Sequence, residues 1–207
     1  RRHEESFTQA EFKRRLEYGE ALLPGFYATH RDSWKQDALV EYPFRNILMD
    51  GIPLNGKLDM LEFSGSHVTV VDYKTGNPQN ARKKLQPPDP DKVAKALAEG
   101  REPAVDDLLG GDYWRQAVFY RILVEQEPRR SWVMASARFE FVEPEKESGA
   151  FKNARFEVSD GEVELVKEQI RGVYAKIRAK EFGAGCGKPD CEWCSFVKRM
   201  ERQNRAI

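Results

Sequence analysis

Two β-prone runs, 54–63 and His67–Lys74, flank the dipeptide Gly65-Ser66, and no other stretch of the chain constrains its neighbours so tightly. A two-residue turn with Gly at its first central position pairs Ser64 with His67, and each step away from the turn pairs one further residue on either side until Asp59 faces Asp72. The two-residue period of strands then gathers Phe63, Leu61, Asp59 and Lys57 on one face with Val68, Val70, Asp72 and Lys74. That face is apolar near the turn and charged at its far end. Two opposed carboxylates with Cβ atoms about 5 Å apart repel unless something positive lies between them. A divalent cation is one solution: Mg²⁺ prefers oxygen ligands, takes one or two protein carboxylates, and keeps its other positions for water and phosphate. Lys74 projects from the same face, where an ammonium stabilises developing negative charge or orients an attacking water. The other solution is a structural ion network in which Asp59 and Asp72 pair with Lys57 and Lys74, and the hairpin alone leaves both open.

The remaining chain supports an α/β domain with a central mixed sheet, an antiparallel meander within it, and flanking helices. At 207 residues and 40% hydrophobic, it is long enough for a real core. We expect one domain over 1–207, with a helical lead-in (1–35), the meander (36–75), a connector (76–111), a helix-strand-helix segment (112–182) and a Cys-containing basic tail (183–207). Within it, a helix is expected at 8–35, broken at Pro24-Gly25, and strands at Ala38–Met49, 54–63 and His67–Lys74, the first two joined by a turn at Asp50-Gly51. The connector is rich in Pro and Gly, so at most one short helix is expected there, at 91–99, and it reads as a linker, a lid or both. Asp112 is expected to cap a helix to Gln126, and 131–142 alternates like a strand. Ser159 and Glu162 form a capping box for a helix with an apolar stripe of Val163, Val166, Ile170, Val173 and Ile177.

Charge restricts the argument about partners. Lys plus Arg and Asp plus Glu both total 34, so the whole molecule offers no case for a polyanionic partner. Locally, residues 167–207 hold ten cations (including Lys188 and Arg205) against five acids, although such runs are usually solvated helix faces. No apolar stretch approaches the roughly 20 residues that span a bilayer, and no signal-like segment opens the chain, so no membrane partner and a cytoplasmic location are expected. The start at Arg1-Arg2-His3, without Met, suggests a domain cut from a longer protein.

Gly56-Lys57-Leu58-Asp59, then Val71-Asp72-Tyr73-Lys74-Thr75-Gly76, then Gln116-Ala117-Val118-Phe119-Tyr120, resembles in order and kind the G-x-x-D, D-Y-K-T-G and Q-x-x-x-Y motifs of the RecB-like branch of the PD-(D/E)XK nucleases. The matched span is about a third of the chain. The resemblance implies a restriction-endonuclease-like core and metal-dependent hydrolysis of DNA phosphodiesters with Mg²⁺ or Mn²⁺. It makes Asp59, Asp72 and the backbone carbonyl of Tyr73 the metal ligands and Lys74 the catalytic lysine. Gln116 and Tyr120, four apart and so on one helix face, fall at the family's nucleic-acid-contacting helix; the bland alternative is a core Tyr beside a Gln that caps backbone. Family members often add a helical His or Glu upstream to the metal site, a role that none of His3, His30 and His67 matches in position.

Cys186, Cys191 and Cys194 place three thiols within nine residues, close enough for one metal centre but one ligand short. A subset of RecB-like nucleases, including AddB-type chains, joins such a trio to a distant upstream Cys to hold a 4Fe-4S cluster. Here the spacing differs and 1–185 lacks Cys, so a cluster or its remnant in the parent protein, a zinc site and unliganded thiols all stay open.

The expected function is therefore a DNA nuclease, exonuclease ahead of endonuclease, acting on single strands or duplex ends and attached to the helicase part of a UvrD/Rep-like parent in repair or recombination. A non-catalytic DNA-binding module of the same fold, gripping a strand through the basic tail and Tyr113, Trp114 and Tyr120, is the rival. A metal-dependent hydrolase of a different substrate is the third reading.

Overall fold

The computed structural model describes residues 7–181, 185–186 and 190–204; His3, Lys188 and Arg205 lie outside them. Helix α1 (Gln9–His30) opens on a capping box in which Thr8 Oγ1 accepts the Glu11 N–H at 3.3 Å and Glu11 returns a carboxylate oxygen to the Thr8 N–H at 3.2 Å. It runs through Pro24 rather than breaking there. An interior proline forfeits one backbone hydrogen bond and crowds the preceding turn. The next turn is held from outside: Phe26 stacks on His30 at 4.3 Å between centroids and meets Phe151 and Tyr73 edge-on at 5.4 and 6.1 Å. A short 3-10 turn, Arg31–Ser33, ends the lead-in.

Five strands form one sheet in chain order: β1 (Ala38–Met49), β2 (Ile52–Ser64), β3 (His67–Lys74), β4 (Val133–Phe141) and β5 (Asn153–Phe156). Neighbours are antiparallel except β3 and β4, which are parallel, so the sheet is mixed. Asp50 and Gly51 both have positive φ, 51° and 78°, as a hairpin turn with matching twist requires, whereas at the second turn Gly65 alone does, at 63°. The β2–β3 register is the expected one, from Ser64↔His67 to Met60↔Val71. Pairing stops there, one step before Asp59 and Asp72.

Parallel strands need a crossover, and the one between β3 and β4 is more helical than the expected single short helix. It holds 3-10 turns at Pro78–Ala81 and Lys83–Leu85 and helices α2 (Pro90–Ala98), α3 (Val105–Leu109) and α4 (Asp112–Glu125). Pro78 and Pro90 act as starters, because a proline in the first helical position loses no bond. Asn77 and Asp89 cap those two elements through the N–H groups of Gln79 and Lys92, at 2.8 and 3.0 Å. The cap of α4 is Gly111, not Asp112, which lies inside the first turn and pairs with Arg115. A Cβ at position 111 would lie 2.4–2.6 Å from backbone atoms of Lys83 and Lys84, so only glycine lets that turn sit on the helix start.

Helix α4 packs on β4 and β2. At its nearest approach to β2 a Cβ on Gly56 would stand 2.4 Å from Leu123 Cδ1. Leu58, Leu61, Val70, Val118, Leu123 and Phe139 are among the fully buried core residues. Helix α1 covers the other face through Phe26 on Tyr73.

The edge strand β5, four residues long, and α6 (Glu192–Asn204) were not legible as elements in the sequence. Helix α5 (Asp160–Arg178) starts at the expected box, Ser159 Oγ accepting the Glu162 N–H at 3.3 Å. Of its apolar stripe only Val163 and Val166 are buried, while Val173 and Ile177 are more than half exposed. The chain divides into one unit ending at Lys167 and a second beginning at Glu168. Among the described residues no helix is long and apolar enough to cross a membrane.

Candidate active site

The C-terminal end of β3 delivers Asp72 and Lys74 to the face covered by α4. Both side chains are largely buried. The Lys74 ammonium lies 2.7 Å from Asp72 Oδ2, an ion pair without the alignment of a hydrogen bond, so that oxygen has no hydrogen-bond partner. Lys74 Nζ also donates to Gln116 Oε1 at 2.6 Å and sits 4.5 and 5.0 Å from the ring centroids of Tyr113 and Phe139. Asp72 Oδ1 accepts the Tyr120 hydroxyl and, at 3.2 Å, Gln116 Nε2. Gln116 Nε2 also meets the Tyr120 hydroxyl, closing a network of four side chains.

Asp59 stands where the register places it, beyond Met60↔Val71, and its Oδ2 accepts the Tyr73 N–H at 2.9 Å. Burial, the hydrogen bond to Asp72, and the charges of Asp72 and then Asp59 hold the Tyr120 phenol far above its ordinary value of about 10, so it stays a donor throughout the physiological range. Leu61 pairs with Val70 and Phe63 with Val68, so the two-residue period of β2 and β3 puts Asp59 and Asp72 on the same side of the sheet. Lys57 turns away to Glu41 across the β1–β2 pair. The ion network weighed from the sequence thus forms at Lys74–Asp72 and not at Lys57–Asp59.

These residues fit a hard divalent cation. Asp72 Oδ2 is a buried acceptor without a hydrogen bond, and Asp59 supplies a second carboxylate. The Lys74 carbonyl accepts the Val142 N–H on the β4 side at 2.9 Å. By strand alternation the Tyr73 carbonyl therefore points the other way, to the opening beside Asp59.

Gln116 and Tyr120 share a helix face, as their spacing implies. The structure turns that face to the sheet: Tyr120 is 6% exposed, a core tyrosine as in the bland alternative, and Gln116 meets Asp72 and Lys74 side chains rather than capping backbone. Trp114 is also buried, its Nε1–H donating to Glu162 Oε1 at 2.7 Å. Of the three aromatics proposed to grip a strand, only Tyr113 keeps partial exposure.

A second polar cluster lies on the opposite face of the sheet, and the sequence reading missed it. Glu62, 2% exposed, takes two hydrogen bonds from the Arg138 guanidinium at 2.9 and 3.1 Å. Arg138 Nε donates to Glu140 Oε1 at 2.6 Å, and Glu140 Oε2 lies 3.6 Å from His30 Nε2. Burial, then the charges of Glu140 and Glu62, push the nearby Tyr73 phenol up. The available signal was Arg138 and Glu140 alternating within an apolar strand. His30 belongs to this cluster, and His67 stays at the hairpin turn opposite Ser64.

In the second unit the sulfur atoms of Cys186, Cys191 and Cys194 lie within 4.8 Å of one another. Hydrogen bonds from the Cys194 backbone, then from the Cys186 and Cys194 thiols, bring the Cys191 thiol down to about 7. Three converging sulfurs with one thiol primed to ionise suit a soft or borderline metal ion, with the fourth ligand position open.

Residues 1–199 match the sequence profile of the PD-(D/E)XK nuclease superfamily. The chain belongs to that superfamily. Its restriction-endonuclease-like fold is the one expected from the motifs, and its members use divalent metals. No curated protein matches the chain. Among solved structures, an alkaline exonuclease from Laribacter hongkongensis is similar over 91% of this chain and 74% of its own, with 12% identity and a TM-score of 0.43. In this chain α4 supplies two neutral side chains, Gln116 and Tyr120, that hold Asp72 and Lys74.

Proposed function

We propose that this PD-(D/E)XK domain is a metal-dependent deoxyribonuclease whose phosphodiester hydrolysis is carried by Asp59, Asp72 and Lys74. The observation behind the reading is the buried Asp72–Lys74 pair, braced by Gln116 and Tyr120, with Asp72 Oδ2 left without a hydrogen bond. Asp59, Asp72 and the Tyr73 carbonyl would hold Mg²⁺ or Mn²⁺, which supplies Lewis-acid stabilisation of the phosphate and a lowered pKa for water. Lys74 offers a fixed ammonium to the negative charge that develops on the phosphoryl oxygens. The rings of Tyr113 and Phe139 and the amide of Gln116 hold that ammonium against the strand end. Tyr120 and Gln116 both donate to Oδ1, so Oδ2, which takes no hydrogen bond, is the oxygen left to face a metal cation beside the Lys74 ammonium.

The order of motifs extends the proposal to the RecB-like branch. Such domains act on single strands or duplex ends, by exonuclease rather than endonuclease action, and are joined to a helicase motor in DNA repair or recombination. In the parent protein the Cys186–Cys191–Cys194 group would take a further ligand to hold a 4Fe-4S cluster.

The test is cleavage of end-labelled single-stranded and duplex DNA with Mg²⁺, Mn²⁺ or EDTA, beside Asp72→Ala. Cleavage that needs metal and disappears in the variant is expected, and its product ladder reports action from ends. A folded wild-type chain that cuts neither substrate in either metal contradicts the proposal.

A further inference from the structure

Lys83 and Lys84 have no role in the network around Asp72, yet they are fixed beside it. The 3-10 turn that carries them is seated on the first turn of α4: the Gly111 N–H donates to the Gln86 carbonyl at 2.8 Å, and only glycine at 111 leaves room for the Lys83 and Lys84 carbonyls. Their side chains are exposed. Lys84 Nζ lies 5.1 Å from the centroid of the Tyr113 ring, and Lys74 Nζ lies 4.5 Å from the same centroid. One half-buried aromatic ring therefore ties an exposed ammonium to the ammonium of the active site.

Most basic runs are solvated and balanced by nearby acids. Here, among the described residues, neither Lys83 nor Lys84 makes an ion pair with a carboxylate, whereas the neighbouring Lys92 pairs with Asp89 and Asp112 is occupied by Arg115. The preceding Arg82 differs, its charge acting on Glu145. Two uncompensated cations on a backbone locked to the helix that braces Asp72 form an anion track leading into the site. A repeating polyanion fits such a track better than a single small anion, because Lys84 reaches the same ring as Lys74 and Lys83 adds a second exposed charge on the same turn.

We infer that Lys84, on the Tyr113 platform it shares with Lys74, and its neighbour Lys83 bind the phosphates flanking the phosphodiester at Asp72 and Lys74. The inference rests on the nuclease reading for the identity of the strand and adds the residues that grip it. Neutralising phosphates releases counterions, so the number of contacts is read from the salt dependence of binding.

The test is fluorescence anisotropy of a labelled single-stranded oligonucleotide in EDTA over a range of salt, with the full chain, the double variant Lys83→Ala/Lys84→Ala, and a charge-matched control on α1, Lys13→Ala/Arg14→Ala. Circular dichroism establishes that each is folded. Loss of two phosphate contacts reduces the slope of log affinity against log salt by about 1.4 in the Lys83/Lys84 variant, while the control keeps the wild-type slope. An unchanged slope in the Lys83/Lys84 variant, an equal change in the control, or no binding by the wild type overturns the inference. Because no cleavage is needed, a reduced slope in a chain that does not cut would sustain this track and refute only the nuclease reading.

Discussion

The sheet carries charge into the interior on both faces, and the two faces dispose of it differently. Under α1, Arg138 spends its fork on Glu62 and its Nε on Glu140, whose other oxygen has no hydrogen bond and faces His30 at 3.6 Å. Under α4, two neutral donors, Tyr120 and Gln116, converge on one oxygen of Asp72, while the other faces an ammonium with no hydrogen bond. Burial of charge is common to both and so does not mark the site. An unbonded carboxylate oxygen is also common to both, and what distinguishes the α4 face is a carboxylate oriented by uncharged braces beside a second carboxylate, Asp59. That is how a ligand is prepared, whereas a guanidinium fork is how a charge is retired.

The difference can be broken at either face. Arg138→Met strands Glu62 and Glu140 in the interior and should cost about 3–5 kcal/mol of stability in denaturant unfolding. If the α1 cluster is structural only, DNA cleavage per folded molecule is unchanged; a loss of cleavage without a loss of stability would erase the distinction. On the other face Tyr120→Phe keeps the ring and removes one brace, with a loss of about 10–100-fold in metal affinity or cleavage rate and a small change in stability. Wild-type cleavage by that variant would show that the brace does not orient Asp72. The exposed Lys57–Glu41 pair between β2 and β1 belongs to neither cluster, and Lys57→Ala should shift the unfolding free energy by about 0.2–1 kcal/mol at most. A larger shift would mean that Lys57 also serves the carboxylates one turn of the pleat away.

The hairpin and its pair of aspartates were legible because one Gly-first turn fixes a register and the pleat then assigns each side chain to a face. Asp59, Asp72 and Lys74 follow from that count. The spacing of Gln116 and Tyr120 showed that they share a face but not which way it points, since that depends on where α4 lands on the sheet. Glu62 and Arg138 are 76 positions apart and meet only through the parallel β3–β4 pairing, so local pattern held no trace of their ion pair. Prolines were read as breakers throughout, yet Pro78 and Pro90 start helices and Pro24 sits inside one that Phe26 anchors from beyond. In each case local chemistry was read correctly and position within the element decided the outcome.

The most direct measurement is Mn²⁺ binding by isothermal titration calorimetry to the wild-type chain, Asp72→Asn and Glu62→Gln, each shown to be folded. Both variants remove one buried carboxylate charge, from opposite faces of the same two strands. The account predicts that binding is abolished or weakened by at least about tenfold in Asp72→Asn and preserved in Glu62→Gln. Equal binding by wild type and Asp72→Asn, or loss of binding in Glu62→Gln alone, would place the metal on the wrong face and contradict it.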